Sequence, residues 1–114
     1  MTMTISHSLA EQLTGLASRL SDVPNWVPLP EPIVQAACKN WAGEAAELSY
    51  QAILLNFQAE DEDYQAAVDG ITKQIAAIDA AQQKISALVG QINLIAGAIA
   101  EAEKVVEEAG GIGL

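Results

Sequence analysis

Cysteine and histidine each occur once in this chain of 114 residues, and each scarcity excludes a class of chemistry. With Cys38 alone, no intrachain disulfide can form. Cys38 lies on the apolar stripe of its helix, where a buried thiol behaves as a small hydrophobe. With His7 as the only imidazole, the converging nitrogen and sulfur ligands of a zinc site are missing. Only five bases oppose fifteen acids, a net charge of −10. Arg19, Lys39, Lys73, Lys84 and Lys104 are scattered singly, so no basic track exists for a phosphate backbone and nucleic-acid binding is not expected. Attraction to anionic lipid headgroups is disfavoured for the same reason. Met1–Ser8 has no basic segment leading into an apolar core, so no secretory signal is visible. The expected location is cytoplasmic, or secreted without a cleaved signal peptide. The longest uncharged run, Ile85 to Ala100, falls short of the roughly 18–20 residues of a spanning helix and includes Ser86, Gln91 and Asn93.

Catalytic signatures are missing too. There is no Gly-x-Ser-x-Gly, no phosphate-cradling glycine loop, no Cys–His arrangement and no Glu-x-x-His pair of the carboxylate di-iron bundles. Glu60-Asp61-Glu62-Asp63 has the acidity of a calcium loop but lacks the alternating ligands, central glycine and distant glutamate. It reads as a helix start, with Asp61 or Asp63 as cap. No catalytic, cofactor-binding or metal-ligating residue is assigned, and no cofactor is expected.

What the chain does have is apolar periodicity. Tyr64, Val68, Ile71, Ile75, Ile78, Gln82, Ile85, Val89, Ile92, Ala96, Ile99, Glu103 and Val106 recur at alternating spacings of four and three. This is the repeat of a helix burying one seam along its length. Read as one helix over about 62–108, it would be roughly 65–70 Å long. Gln82, and Asn93 beside the seam, are candidates for polar residues that set register. Upstream, Ser8 and Glu11 form a Ser-x-x-Glu capping box before Leu9, Leu13, Leu16 and Leu20, predicting a helix over about 9–21. All four prolines fall between Pro24 and Pro32 and make 22–31 an extended connector. Its Trp26, Val27 and Leu29 predict that it packs across the bundle end. Pro32 opens a helix over about 32–59 with the stripe Val34, Cys38, Trp41, Ala45, Leu48, Ala52 and Leu55. That stripe and the Tyr64 series differ in frame by two residues, which predicts a break at 59–63; the alternative is one unbroken helix from about 43 to 108 with a stutter. Gly110-Gly111 should stop the last helix, leaving a frayed tail over 109–114. The expected fold is all-α: a single domain, an elongated antiparallel helical hairpin with a short N-terminal helix, completed by oligomerisation. The second helix would lie antiparallel on the third, with the first laid across them.

The segment Asn40-Trp41-Ala42-Gly43-Glu44-Ala45-Ala46-Glu47-Leu48-Ser49-Tyr50 resembles the Trp-x-Gly turn and Ala-rich helix of the small helical-hairpin proteins of type VII secretion. The resemblance implies that Trp41 and Gly43 join two antiparallel helices, that the protein pairs as a dimer, and that it leaves the cell without a cleaved signal. Trp41 is also in register with the stripe of its own helix. On that reading it is a core residue, and Gly43 permits close helix approach.

These features point to a non-enzymatic interaction protein whose apolar seam binds itself or another helical protein. Leu88, Leu94 and Ile95 widen the seam beside Ile92 and Ile99, so these five form the expected partner-binding face. Two alternatives remain. The acidity suits an inhibitor or immunity-type protein that binds a basic toxin or enzyme. The segment Ile85–Ala100, with Gly90, Ala96, Gly97 and Ala100 for close packing in lipid, suits a membrane-active pore component.

Overall fold

A computed structural model describes residues 5–26 and 29–111. The chain is mostly helical, with four helices packed on one another. Strand β1 (Ile5–Ser6) leads into helix α1 (Ser8–Asp22) and a 3₁₀ turn, Val23–Asn25. Helix α2 (Pro32–Ile53), strand β2 (Phe57–Gln58), α3 (Glu62–Ala81) and α4 (Ser86–Val106) follow, and a π-turn over Glu107–Gly111 ends the description.

Leu9, Leu13, Leu16 and Leu20 are fully buried along α1, as their spacing predicts. The capping box does not form: His7 is the cap residue and offers no side-chain bond. The Ser6 hydroxyl accepts from Ser8 N–H at 3.2 Å, and the Tyr64 hydroxyl on α3 accepts from Leu9 N–H at 3.0 Å. A residue 55 positions away thus satisfies a donor that the helix itself leaves open. In the connector Trp26 and Pro30 are buried while Leu29 is exposed; residues 27 and 28, with Val27 among them, lie outside the described residues.

Helix α2 begins at Pro32 as expected but stops at Ile53, six residues short of 59. The chain must turn there, because Phe57 is buried with its ring stacked on Tyr64 at 4.6 Å. Phe57 and Gln58 also pair antiparallel with Ser6 and Ile5. Helix α3 starts at the acidic run, where Asp61 accepts from Tyr64 N–H at 2.9 Å. No helix continues through 59–61, so the unbroken 43–108 alternative is excluded.

The single long helix over 62–108 is corrected. It breaks at Gln82–Ile85 into α3 and α4, where bonding tightens to the three-residue spacing: Gln83 N–H to Ala80 O at 3.1 Å, Lys84 N–H to Ala81 O at 3.0 Å and Leu88 N–H to Ile85 O at 3.0 Å. Gly70 lies against Ala98, and both are equally distant in sequence from Lys84, so α3 and α4 form an antiparallel hairpin. The long seam folds back and covers itself. The whole described molecule measures 51 × 28 × 19 Å, shorter than the 65–70 Å expected of one helix. The frayed tail is also corrected in part, since 109–111 belong to the π-turn; residues 112–114 lie outside the described residues.

Four helices replace the expected three. Ser49 on α2 donates to Ala10 O on α1 at 3.0 Å, and the two helices run antiparallel. Helix α3 runs parallel to α1, with Tyr64 at Leu9, Ile75 at Gly15 and Asp79 at Arg19. Helix α2 packs on α1 and α4, and α3 packs on α1 and α4. The expected pairing of the second helix on the third is therefore corrected: α2 and α3 sit diagonally, and the β1–β2 pair stitches the crossover between them. Gly15 serves the close approach of α1 to α3, since a Cβ there would stand 3.3 Å from Ile75 Cδ1.

Candidate functional site

The five residues expected to meet a partner do not form one surface. Leu88, Ile95 and Ile99 are buried, Ile92 is half-buried against the core, and only Leu94 is open at 55 % exposure. The reason is the hairpin: α3 lies on the face of α4 that a straight helix would have left bare. Within α4 the inward stripe is Leu88, Ile95, Ile99, Ala102 and Val106, while Val89 of the expected seam is 58 % exposed. Gln82 and Asn93 are exposed as well, so neither sets register inside the core. Among the described residues the buried polar side-chain atom without a partner is Oε1 of Gln74 on α3.

Trp41 and Gly43 lie inside α2 and not at a turn between helices. Trp41 is half-buried against the core. Gly43 faces out, and a Cβ on it would meet nothing within 4 Å. The close-approach reading of Gly43 within the chain is therefore corrected; the missing side chain leaves a hollow.

That hollow is part of a groove. On the outer face of the α1–α2 pair one depression of about 500 Å³ is lined by Ala17, Leu20, Pro24, Lys39, Ala42, Gly43 and Ala46. A second, of about 350 Å³, is lined by Ala10, Glu11, Thr14, Ala46, Ser49, Tyr50 and Ile53. Ala46 borders both, so they run end to end. The groove has a cause in the sequence. Lys39, Gly43, Ala46, Tyr50 and Ile53 recur at spacings of four and three, a second stripe beside the buried one of Val34, Cys38, Ala45, Leu48 and Ala52. Its members are small in the middle, with Lys39 at one end and the large apolar Tyr50 and Ile53 at the other. Across from it α1 contributes Ala10, Thr14, Ala17 and Ser21, also short side chains. The Thr14 and Ser49 hydroxyls stand 2.9 and 3.0 Å from Ala10 O and in contact with each other, so two protons are shared among three contacts. At the far end Tyr50 and Leu54 are 69 % and 70 % exposed, with Ile53 between them also exposed. The stripe is hard to see in the sequence because Lys39 and Gly43 carry no apolar side chain, so only Ala46, Tyr50 and Ile53 register in the apolar periodicity.

Charge is distributed unevenly. When each helix is divided at its middle, Asp22, Glu31 and Asp79 are the only acids in the halves nearer the α3–α4 turn, beside Arg19, Lys39, Lys73 and Lys84. The other acids crowd the halves nearer the β1–β2 pair, with Lys104 as the base among them. There Glu44, Glu47, Glu103 and Glu107 surround one depression between α2 and α4, and Asp61, Asp63 and Glu108 border another. Arg19 and Asp79 approach to 3.4 Å on the surface, in solvent-screened contact.

Among the described residues no group of three or more His, Cys, Asp or Glu side chains could hold a metal ion. Burial raises the pKa of the Cys38 thiol, which lies on the core-facing side of α2. No helix among the described residues is long and apolar enough to cross a membrane. No protein family matches the chain, and neither a curated protein nor a solved structure is significantly similar to it.

Proposed function

We propose that this chain is a non-enzymatic helical interaction protein and that the α1–α2 groove is where it docks another helical surface. The observation that carries this reading is the exposure of Tyr50 and Ile53 at the end of an apolar groove. Aromatic and large aliphatic side chains left in water beside a concave apolar surface are the usual anchors of a protein interface. A photo-reactive phenylalanine analogue in place of Tyr50 tests it in cells that express the protein. Discrete covalent adducts at position 50, absent when the analogue replaces the exposed Gln83, support the reading; no adduct at position 50 overturns it.

A more specific version, a secreted or secretion-associated protein, rests on the sequence resemblance of Asn40–Tyr50 to the Trp-x-Gly proteins of type VII secretion alone, since Trp41 and Gly43 lie inside α2 and form no turn between helices. Appearance of the protein in the culture medium of its native host, without release of a cytosolic marker, would support export. Strict retention in the cells would remove this version and leave the groove reading intact.

A second reading is favoured by the acid-rich halves of the helices: an inhibitor or immunity-type protein that binds a basic toxin or enzyme there. Glu103 and Glu107 would then face the partner, and the photo-reactive analogue at position 107 would capture it where position 50 does not.

A further inference from the structure

We propose that the occupant of the α1–α2 groove is a second copy of this chain, bound antiparallel about a two-fold axis that passes by Ala46. The proposal rests on the groove being an interaction surface and adds what fills it. Ala46 borders both depressions, and a two-fold axis beside it carries each depression onto the other. On α2 such an axis sets residues equally far before and after Ala46 against one another. Tyr50 comes over Ala42 and Gly43 of the second copy, and Ile53 comes over its Lys39. Those three are among the residues that line the larger of the two depressions, and a Cβ built on Gly43 would meet nothing within 4 Å. The face therefore carries a projection and a recess at equal distances from one point, which is the self-complementarity an isologous interface needs. The stripe from Lys39 to Ile53 gives a contact roughly 20 Å long.

Charge selects the same orientation. The recess end of the groove carries Lys39 and the projection end carries Glu11. Antiparallel copies bring Lys39 of each toward Glu11 of the other, twice by symmetry. A parallel pair would instead set Lys39 beside Lys39 and Glu11 beside Glu11. Because each chain carries −10, added salt should tighten the pair by screening the remaining repulsion.

The test uses the purified full chain. Sedimentation and light scattering from 1 to 200 µM should give twice the chain mass of 12.0 kDa at the upper concentrations. Tyr50→Glu should weaken association at least about 30-fold, as expected for an aromatic anchor, with the helical signal and melting of the monomer retained because the side chain is exposed. Leu94→Glu, on α4, should leave the mass unchanged. Lys39→Glu and Glu11→Lys should each weaken the pair, and the double exchange should restore it. Ala46→Cys should form a disulfide-linked dimer under mild oxidation, Cys38 being buried and out of reach. A monomer at every concentration overturns the proposal; if position 50 still captures an adduct of another mass in cells, the groove reading stands and the occupant is a different protein. A dimer that survives Tyr50→Glu and does not link through Ala46→Cys also overturns it, because the copies then meet on another face.

Discussion

Tyr64 joins three parts of the chain. Its ring is buried and stacks on Phe57, while its hydroxyl receives Leu9 N–H at 3.0 Å and stands 3.0 Å from the Ser6 hydroxyl. The ring belongs to the core, but the oxygen serves as the cap of another helix. Tyr64→Phe should keep the stack and lose the cap, costing about 1–2 kcal/mol by urea unfolding, the range for a lost helix cap or buried hydrogen bond. An unchanged midpoint would mean that water replaces the hydroxyl. Cys38 shows burial acting on chemistry. Desolvation holds the thiol above its ordinary 9.0, so the native protein should react with a disulfide reagent far more slowly than the unfolded chain at pH 8. The sign follows for stability. Above pH 9 the unfolded thiol loses its proton before the folded one does, so the contribution of Cys38 is complete below that pH and falls as pH rises. Cys38→Ala should flatten this alkaline decline, read from unfolding midpoints between pH 7 and 10.

At the scale of the element, α4 shows how one helix can carry two plausible faces. Ile85, Val89, Ile92 and Ile99 continue the frame of α3, but only Ile99 of these is buried; Leu88 and Ile95 join it inside, Ile85 and Ile92 are half-buried and Val89 is exposed. Ile95→Ala should cost on the order of 2–4 kcal/mol, the range for a fully buried large-to-small change. Val89→Ala should stay within about 0.5 kcal/mol, as for an exposed site. Equal losses at the two positions would refute the inward face described here. The turn at Gln82–Ile85 has its own test. Four Gly/Ser residues inserted between Gln83 and Lys84 lengthen a loop and should cost about 1 kcal/mol or less, since closure entropy grows slowly with length. The same insertion into a continuous helix would sever its seam and unfold much of the chain, as circular dichroism would show.

For the whole molecule, charge distribution is the dominant feature beyond the core. Glu44, Glu47, Glu103 and Glu107 share one depression and repel one another across α2 and α4. Screening reaches about 8 Å at 0.15 M salt but about 30 Å at 0.01 M, so the melting temperature should rise between these conditions. Glu103→Gln with Glu107→Gln should raise melting at low salt and shrink the salt dependence, measured at low micromolar concentration where association contributes least. A melting temperature that falls with salt would show attraction outweighing this repulsion. The acidic halves are a cost that the buried leucines and isoleucines of the four helices offset, and such charge is retained in many proteins for solubility or partner choice.

Local signals in the sequence were enough for some of this fold. The all-α class, the leucine stripe of α1, the start of α2 at Pro32 and the Asp61 cap of α3 follow from residue spacing and backbone chemistry within a few positions. The tertiary structure decided the remainder, because the deciding partners lie far apart in sequence. The α3–α4 turn has neither glycine nor proline to mark it; Gln82, the interruption in the apolar series, became its first residue once α3 could cover α4. Folding back rotated the buried face of α4 by one position and removed Leu88, Ile95 and Ile99 from the expected partner surface. Tyr64 replaced the Ser8–Glu11 cap because the Phe57 crossover brought it to the start of α1. The α1–α2 groove is the clearest case. Periodicity marks the positions of Lys39, Gly43, Ala46, Tyr50 and Ile53, but a stripe becomes a surface only when packing has chosen which other stripe to bury. That choice belongs to the summed contacts of four helices, and no local spacing contains it.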